Sequence, residues 1–314
     1  MKKFTCAAVL AGLLLLLPSE ALAWCRTTIC DQANPPAGCG DTTASGCSVG
    51  TPIAWPSSCV STSVNAQGSA RLGITAADMR KVVQNAFSAW TNADCGNGQI
   101  PKFVVDLFPD VNCSQVTGDH IGFKSEGPNY NIWIFRDTDW PYGFADESAI
   151  AITTTQFSGT TGVIYDSDVE LNSQSQDFTI GDTIINMDLP SVVQHEAGHF
   201  LGLAHSRAPN ATMLPSINAG DNSRRNLTQD DIDAICDVYG HGEIDPNCDP
   251  EPRHGFSTEC TFNKGCSTVA PGRGATQRLP ASLIMGSLVA FLVVGRRRTL
   301  RPWNEPSCPR SNPG

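Results

Sequence analysis

Apolar positions recur at helical spacing early in the chain. Met79, Val82, Val83, Ala86, Phe87 and Trp90 fall on one face, and Thr75 with Asp78 supplies capping-box spacing just before them. This predicts a packing helix from Thr75. Four runs rich in β-branched and aromatic residues follow, at 102–108, 131–136, 149–157 and 162–172. Each is bounded by turn formers, and each predicts a strand. A second helix is predicted from Asp188, with Pro190 tolerated in its first turn, carrying 192–203. A third is predicted from Thr228, where Asp231 repeats the capping spacing. Ile232, Ile235, Cys236 and Tyr239 form its apolar face, and Gly240 can end it. No internal repeat is visible.

The two ends depart from this pattern. Lys2 and Lys3 precede a short apolar run, and Ala21, Leu22 and Ala23 give the small-x-small pattern of an export signal. Residues 1–23 are therefore expected to be removed, leaving Trp24 first. Residues 24–50 form a Cys-rich segment without periodicity. A main domain is expected over 51–247, then a Pro-, Gly- and Ser-rich linker over 248–278. Residues 279–295 are apolar and uncharged, and Arg296, Arg297 and Arg298 follow at once. That predicts a C-terminal membrane segment over 279–298 with the arginines inside, and a tail over 299–314.

Export changes the reading of the cysteines. Of 13, ten lie between Cys25 and Cys260, and in an oxidising compartment they are expected mostly as disulfides of unassigned connectivity. Between 24 and 278 there are 14 basic and 29 acidic residues, a net charge of −15. So acidic a surface argues against nucleic acid and anionic membrane surfaces as partners.

The candidate chemistry sits in one block. His195 and His199 are four apart, so on a helix their imidazoles share a face and can converge on one metal ion. Glu196, beside the first ligand, is placed to act on water rather than to ligate. A straight helix would carry His205 past the metal. Gly202 lets the chain turn back, because glycine adopts a left-handed backbone cheaply. Three histidines would leave the fourth position of a tetrahedral zinc open, as a catalytic site requires. Three of the chain's six histidines fall here.

Residues 195–205 resemble the extended zinc signature of the metzincin peptidases. The stretch from Leu201 to Ser206 is similar to the matrixin (matrix metalloproteinase-like) branch, of bacterial type. Ala211 to Pro215 resembles the Met-turn, and 227–240 resembles the family's closing helix. The resemblance covers roughly residues 51–240. It implies an α+β fold: a two-part catalytic domain with a twisted mixed sheet, an active-site helix and a C-terminal helix. It further implies Met213 as a floor beneath the metal and a substrate extended along an edge strand within 162–172. Upstream of the motif stands only His120, so one zinc is expected rather than two. Ala37 to Asp41 is faintly similar to a cysteine switch, but Cys39 is read as a disulfide partner. Asp166, Asp168 and Glu170 alternate onto one face of the edge strand. They are read as a solvated acidic face; calcium is conceivable there but not assigned. Gly265, Cys266, Ser267, the apolar run and the arginine cluster resemble myxobacterial sorting tails.

The expected activity is hydrolysis of peptide bonds in extracellular proteins. Glu196 is the general base, His195, His199 and His205 hold zinc, and polypeptides are the substrates. A secreted or surface-held monomer is expected. The competing reading is a non-catalytic zinc-containing surface or adhesion module, which would need a fourth protein ligand. A third is a disulfide-rich adhesion protein with an incidental motif.

Overall fold

The computed structural model describes residues 23–115, 122–140, 142, 149–260 and 285–289, apart from 33–34, 38, 41 and 44–45. In chain order the elements are β1 (Cys25–Arg26), β2 (Cys59–Val64), α1 (Ala76–Thr91), β3 (Val104–Leu107) and β4 (Ile132–Phe135). There follow β5 (Ala151–Phe157), β6 (Ile164–Leu171), β7 (Phe178–Thr179), β8 (Met187–Asp188) and α2 (Leu189–Phe200). The last are β9 (Leu203–Ala204), α3 (Gln229–Tyr239) and β10 (Met285–Val289).

The fold is α+β. A five-strand mixed sheet runs in the order β5-β6-β4-β2-β3, with β10 added outside β5. β6, β4, β2 and β3 are mutually parallel, and β5 runs antiparallel to β6. Helix α1 starts as expected: Thr75 accepts from the Asp78 amide, and the Asp78 carboxylate answers at the Thr75 amide. Its six predicted apolar residues are all buried. Phe87 meets Trp133 of the sheet edge-on at 5.8 Å and Phe200 of α2 at 4.9 Å. Trp90 Nε1 donates to the Gln194 carbonyl at 2.9 Å. Burial of each such aromatic contributes roughly 1.5–3 kcal/mol, so α1 clamps α2 against the sheet.

Three expectations are corrected. First, β6 is interior, flanked by β5 and β4, so the edge was misplaced at 162–172. The strand outside it is β5, whose Thr153 hydroxyl reaches Glu196 on α2. Second, Asp166, Asp168 and Glu170 are not solvated: each is 1% exposed. Glu170 pairs with Arg136 at 2.6 Å and accepts from the Tyr142 hydroxyl. Asp168 accepts from the Ile132 amide at 2.9 Å, and burial pushes its carboxyl up to about 7. Asp166 is raised well above the carboxylate range by burial and then by Asp168. Alternation gave the shared face correctly, but not which layer covers it. Third, residues 248–260 do not behave as linker. Cys248 bonds Cys59 and Cys260 bonds Cys113, while the Ser61 amide donates to Pro250 and the Asn112 amide to Thr258.

Strand β2 carried no sequence signal. It is buried along its whole length, yet Ser61, Thr62 and Ser63 stand where an apolar run would mark a central strand. Small polar side chains fit there because the sheet supplies partners: Thr62 Oγ1 donates to the Asn131 carbonyl at 2.8 Å.

The ten cysteines form five disulfides. Cys25–Cys47 and Cys30–Cys39 staple the N-terminal segment, and Cys95–Cys236 joins the end of α1 to α3. Cys39 is thus a disulfide partner. Of the expected membrane segment 279–298, residues 285–289 are described, and their backbone lies antiparallel along β5. Among the described residues no helix is long and apolar enough to cross a membrane. The export signal up to residue 22, His120, Cys266 and the tail lie outside the described residues.

Replacing Cys59 and Cys248 together by serine should lower the unfolding free energy by about 2–5 kcal/mol. Urea titration of the full chain against wild type reads this directly; an unchanged midpoint would mean 248–260 is not part of the folded body.

Candidate metal centre

Helix α2 begins where the sequence placed it. Asp188 is the N-cap and accepts from the Ser191 amide at 3.0 Å, with Pro190 in the first turn. The helix is buried on nearly every side, which fits its low polarity between sheet and α1. Its last two turns carry His195, Glu196 and His199.

At Gly202 the chain reverses with φ of +87°, in the region that L side chains enter only under strain. A Cβ there would meet the Ile53 carbonyl oxygen at 2.8 Å, so the close approach also demands glycine. The carbonyls that the helix end leaves over find tertiary donors. Phe200 O accepts from Trp55 Nε1, Leu201 O from the Tyr239 hydroxyl and Gly202 O from the Thr27 amide, each at 2.9 Å. After the turn, β9 pairs antiparallel with β1 and delivers His205. Asp230 secures the same strand pair: it accepts from the Ala23 and Trp24 amides at 3.1 Å and from Ser206 Oγ at 2.6 Å.

The turn brings the three imidazoles together. His195 Nε2 lies 3.0 Å from His199 Nε2, which lies 3.1 Å from His205 Nε2. The tautomers of two rings follow from their other nitrogens. His195 Nδ1 faces the Thr212 carbonyl at 2.7 Å, and His199 Nδ1 faces the Leu203 carbonyl at 2.9 Å. A carbonyl can only accept, so each Nδ1 carries the proton and each Nε2 presents a lone pair. Two lone pairs at 3.0 Å repel unless a cation lies between them. Burial opposes protonation as the remedy: it pushes His199 down to about 4 and, reinforced by His199, pushes His205 to about 3. His195 is lowered well below the imidazole range by burial and then by its two neighbours. Three neutral imidazoles converging on one point can hold a metal ion. Donors on a tetrahedral zinc stand about 3.3 Å apart, given bonds of about 2.0–2.1 Å, so the spacing suits that ion.

The supports of this cluster were not legible beforehand. Asp231, read only as a cap, also accepts from the Thr212 amide at 2.8 Å and the Met213 amide at 3.1 Å. It thereby fixes the turn whose carbonyl orients His195. Met213 is buried against α2: a Cβ on Gly198 would lie 2.2 Å from its sulfur. A side chain at 198 would require Met213 to shift.

Residues 138–240 match the sequence profile of the Matrixin family, from just before β5 to the end of α3. A stretch of 76 residues is 43% identical to matrix metalloproteinase-25 of Mus musculus, covering 23% of this chain and 12% of that protein. Another of 58 residues is 48% identical to neutrophil collagenase of Homo sapiens, covering 18% and 12%. A third of 54 residues is 48% identical to metalloendoproteinase 5-MMP of Arabidopsis thaliana, covering 17% and 15%. Over residues 138–240 the chain is matrixin-like. The aligned parts span only 12–15% of these relatives' own lengths.

Within the matrixin-like domain, Glu196 stands apart from the three donors. Its carboxylate accepts from Thr153 Oγ1 on β5, and burial raises it to about 7, with that hydrogen bond pulling the other way. Thr153 is one of three consecutive threonines, 153–155, and nothing in the sequence singles it out.

Gly198→Ala should destabilise the domain by about 1–3 kcal/mol through overpacking against Met213. In a double-mutant cycle, Met213→Ala should recover part of that loss. Additive losses in thermal unfolding would show that the two positions do not touch.

Proposed function

We infer that this protein is a zinc-dependent endopeptidase acting on extracellular polypeptides. The observation that carries the reading is the convergence of three neutral imidazoles with a carboxylate, Glu196, beside them but outside the donor set. A closed, structural zinc site would call for a fourth protein ligand. Among the described residues no other His, Cys, Asp or Glu joins the cluster. This favours an enzyme over a non-catalytic surface or adhesion module.

A zinc ion held by His195, His199 and His205 would supply Lewis acidity, lowering the pKa of water and polarising the scissile carbonyl. The protein's own groups supply the rest. Glu196 takes the proton from the attacking water and later delivers it to the leaving amine. Its raised proton affinity suits both tasks, since it must hold the proton between them. Thr153 holds the carboxylate against β5. Thr212 and Leu203 hold the imidazoles in the ligand tautomer.

Export and anchoring belong to the same proposal. Five disulfides suit an oxidising compartment. Residues 1–23 act as the export signal and 279–298 as a surface anchor. The folded catalytic unit takes in β1 and extends to Cys260.

Glu196→Ala should retain one zinc per chain yet lose casein cleavage by about 10²–10⁴-fold. A chelator should abolish wild-type cleavage, and added zinc should restore it. Undiminished proteolysis in the variant, or insensitivity to chelation, would sink the assignment.

A further inference from the structure

Strand β5 pairs with β6 along Ala151–Phe157, and β6 lies between β5 and β4. The other side of β5 therefore presents the amides and carbonyls of alternate residues, a row that recruits an extended chain. This edge is close to the chemistry. Thr153 on β5 donates to Glu196, so a polypeptide laid along the edge would run past that carboxylate.

The edge is taken by the chain itself. β10 lies antiparallel on it, with Met285 opposite Phe157 and Val289 opposite Thr153. Five of the seven residues of β5 are covered, including the one that holds Glu196. Met285–Val289 contains no proline, so every residue keeps the amide that a ladder needs. The other five strands of this sheet come from Cys59 to Leu171, whereas β10 comes from beyond the last disulfide, at Cys260. Residues 261–284 lie between. Extended, a stretch of that length reaches about 80 Å, against about 25 Å for the width of six strands. No short connection forces β10 onto β5. Covalent attachment still holds it at roughly millimolar effective concentration, so a Kd of about 0.1 mM would cover the edge about nine-tenths of the time.

Resting on the endopeptidase reading, we propose that residues 285–289 are a resident competitor for the edge on which substrate backbone docks, and that they hold the intact chain latent. The competitor is recognised by its main chain, as an added strand, and an extended polypeptide must displace it to reach Glu196. The same residues fall within the stretch assigned above as surface anchor. Backbone lying along β5 cannot lie in a bilayer as well, so anchoring uncovers the edge.

The test compares the full-length protein with the double variant Ser287→Pro, Leu288→Pro. Adjacent residues of a strand point their amides to opposite sides, so the pair removes one donor to β5 whichever way it faces. Hydrogen exchange should show alternate amides of 153–157 protected in the wild type and about tenfold faster in the variant. The amides that β5 gives to β6 should be unchanged, which separates release of β10 from unfolding. For an unstructured peptide, kcat/KM should rise about tenfold in the variant, the inverse of an edge open about one-tenth of the time. Outer-edge amides that already exchange like exposed backbone in the wild type overturn the proposal without any variant. Faster exchange with unchanged cleavage overturns it too, while leaving the endopeptidase reading in place. If neither protein cleaves, that reading falls and the latency with it, even where exchange shows β10 on β5.

Discussion

The chain reversal at Gly202 is the constraint on which the centre depends. Two histidines on α2 share a face by helix geometry alone, but two donors do not make a site. The third arrives only because the backbone enters the left-handed region against the Ile53 carbonyl and then leaves as a strand. Every carbonyl freed at the helix end is caught by a donor from a different part of the molecule: Trp55, Tyr239 and Thr27. The turn is held from three directions, so His205 is positioned by the tertiary fold rather than by its own flexibility. Preorganisation of this kind lets a metal bind without paying to order its ligands.

A second layer of constraint runs through Asp231. One carboxylate caps α3, holds the amides of Thr212 and Met213, and so presents the carbonyl that sets the His195 tautomer. Met213 in turn packs on Gly198, inside the helix that bears the donors. The closing helix, the methionine turn and the ligand helix form one mechanically continuous unit. The profile match over 138–240 takes in all three pieces.

Much of this was readable from the sequence, for identifiable reasons. Helix starts were legible because Thr75, Asp188 and Thr228 carry local capping chemistry, which does not depend on distant contacts. The imidazole cluster was legible because its spacing is fixed by one helix and one glycine. What failed were statements about layers. The acidic residues of β6 were placed correctly on one face, but that face is covered. Burial there rests on Arg136, Tyr142 and the Ile132 amide, none of them near in sequence. β2 was invisible because its polar residues are satisfied by the neighbouring strand. Thr153 carries no local mark at all, since its significance lies in what long-range folding sets beside it.

The pairing of β1 with β9 has a consequence for when the imidazole cluster forms. Residues 25–26 and 203–204 lie far apart in sequence, so the clamp on the His205 turn joins distant parts of the chain. Contacts of such separation form late, after the closure entropy of the intervening chain has been overcome. The strand that clamps the turn is itself stapled through Cys25 to Cys47, a bond that forms under oxidising conditions. The third imidazole thus takes its place only once the chain has folded around it, through a contact that reduction of Cys25–Cys47 would loosen.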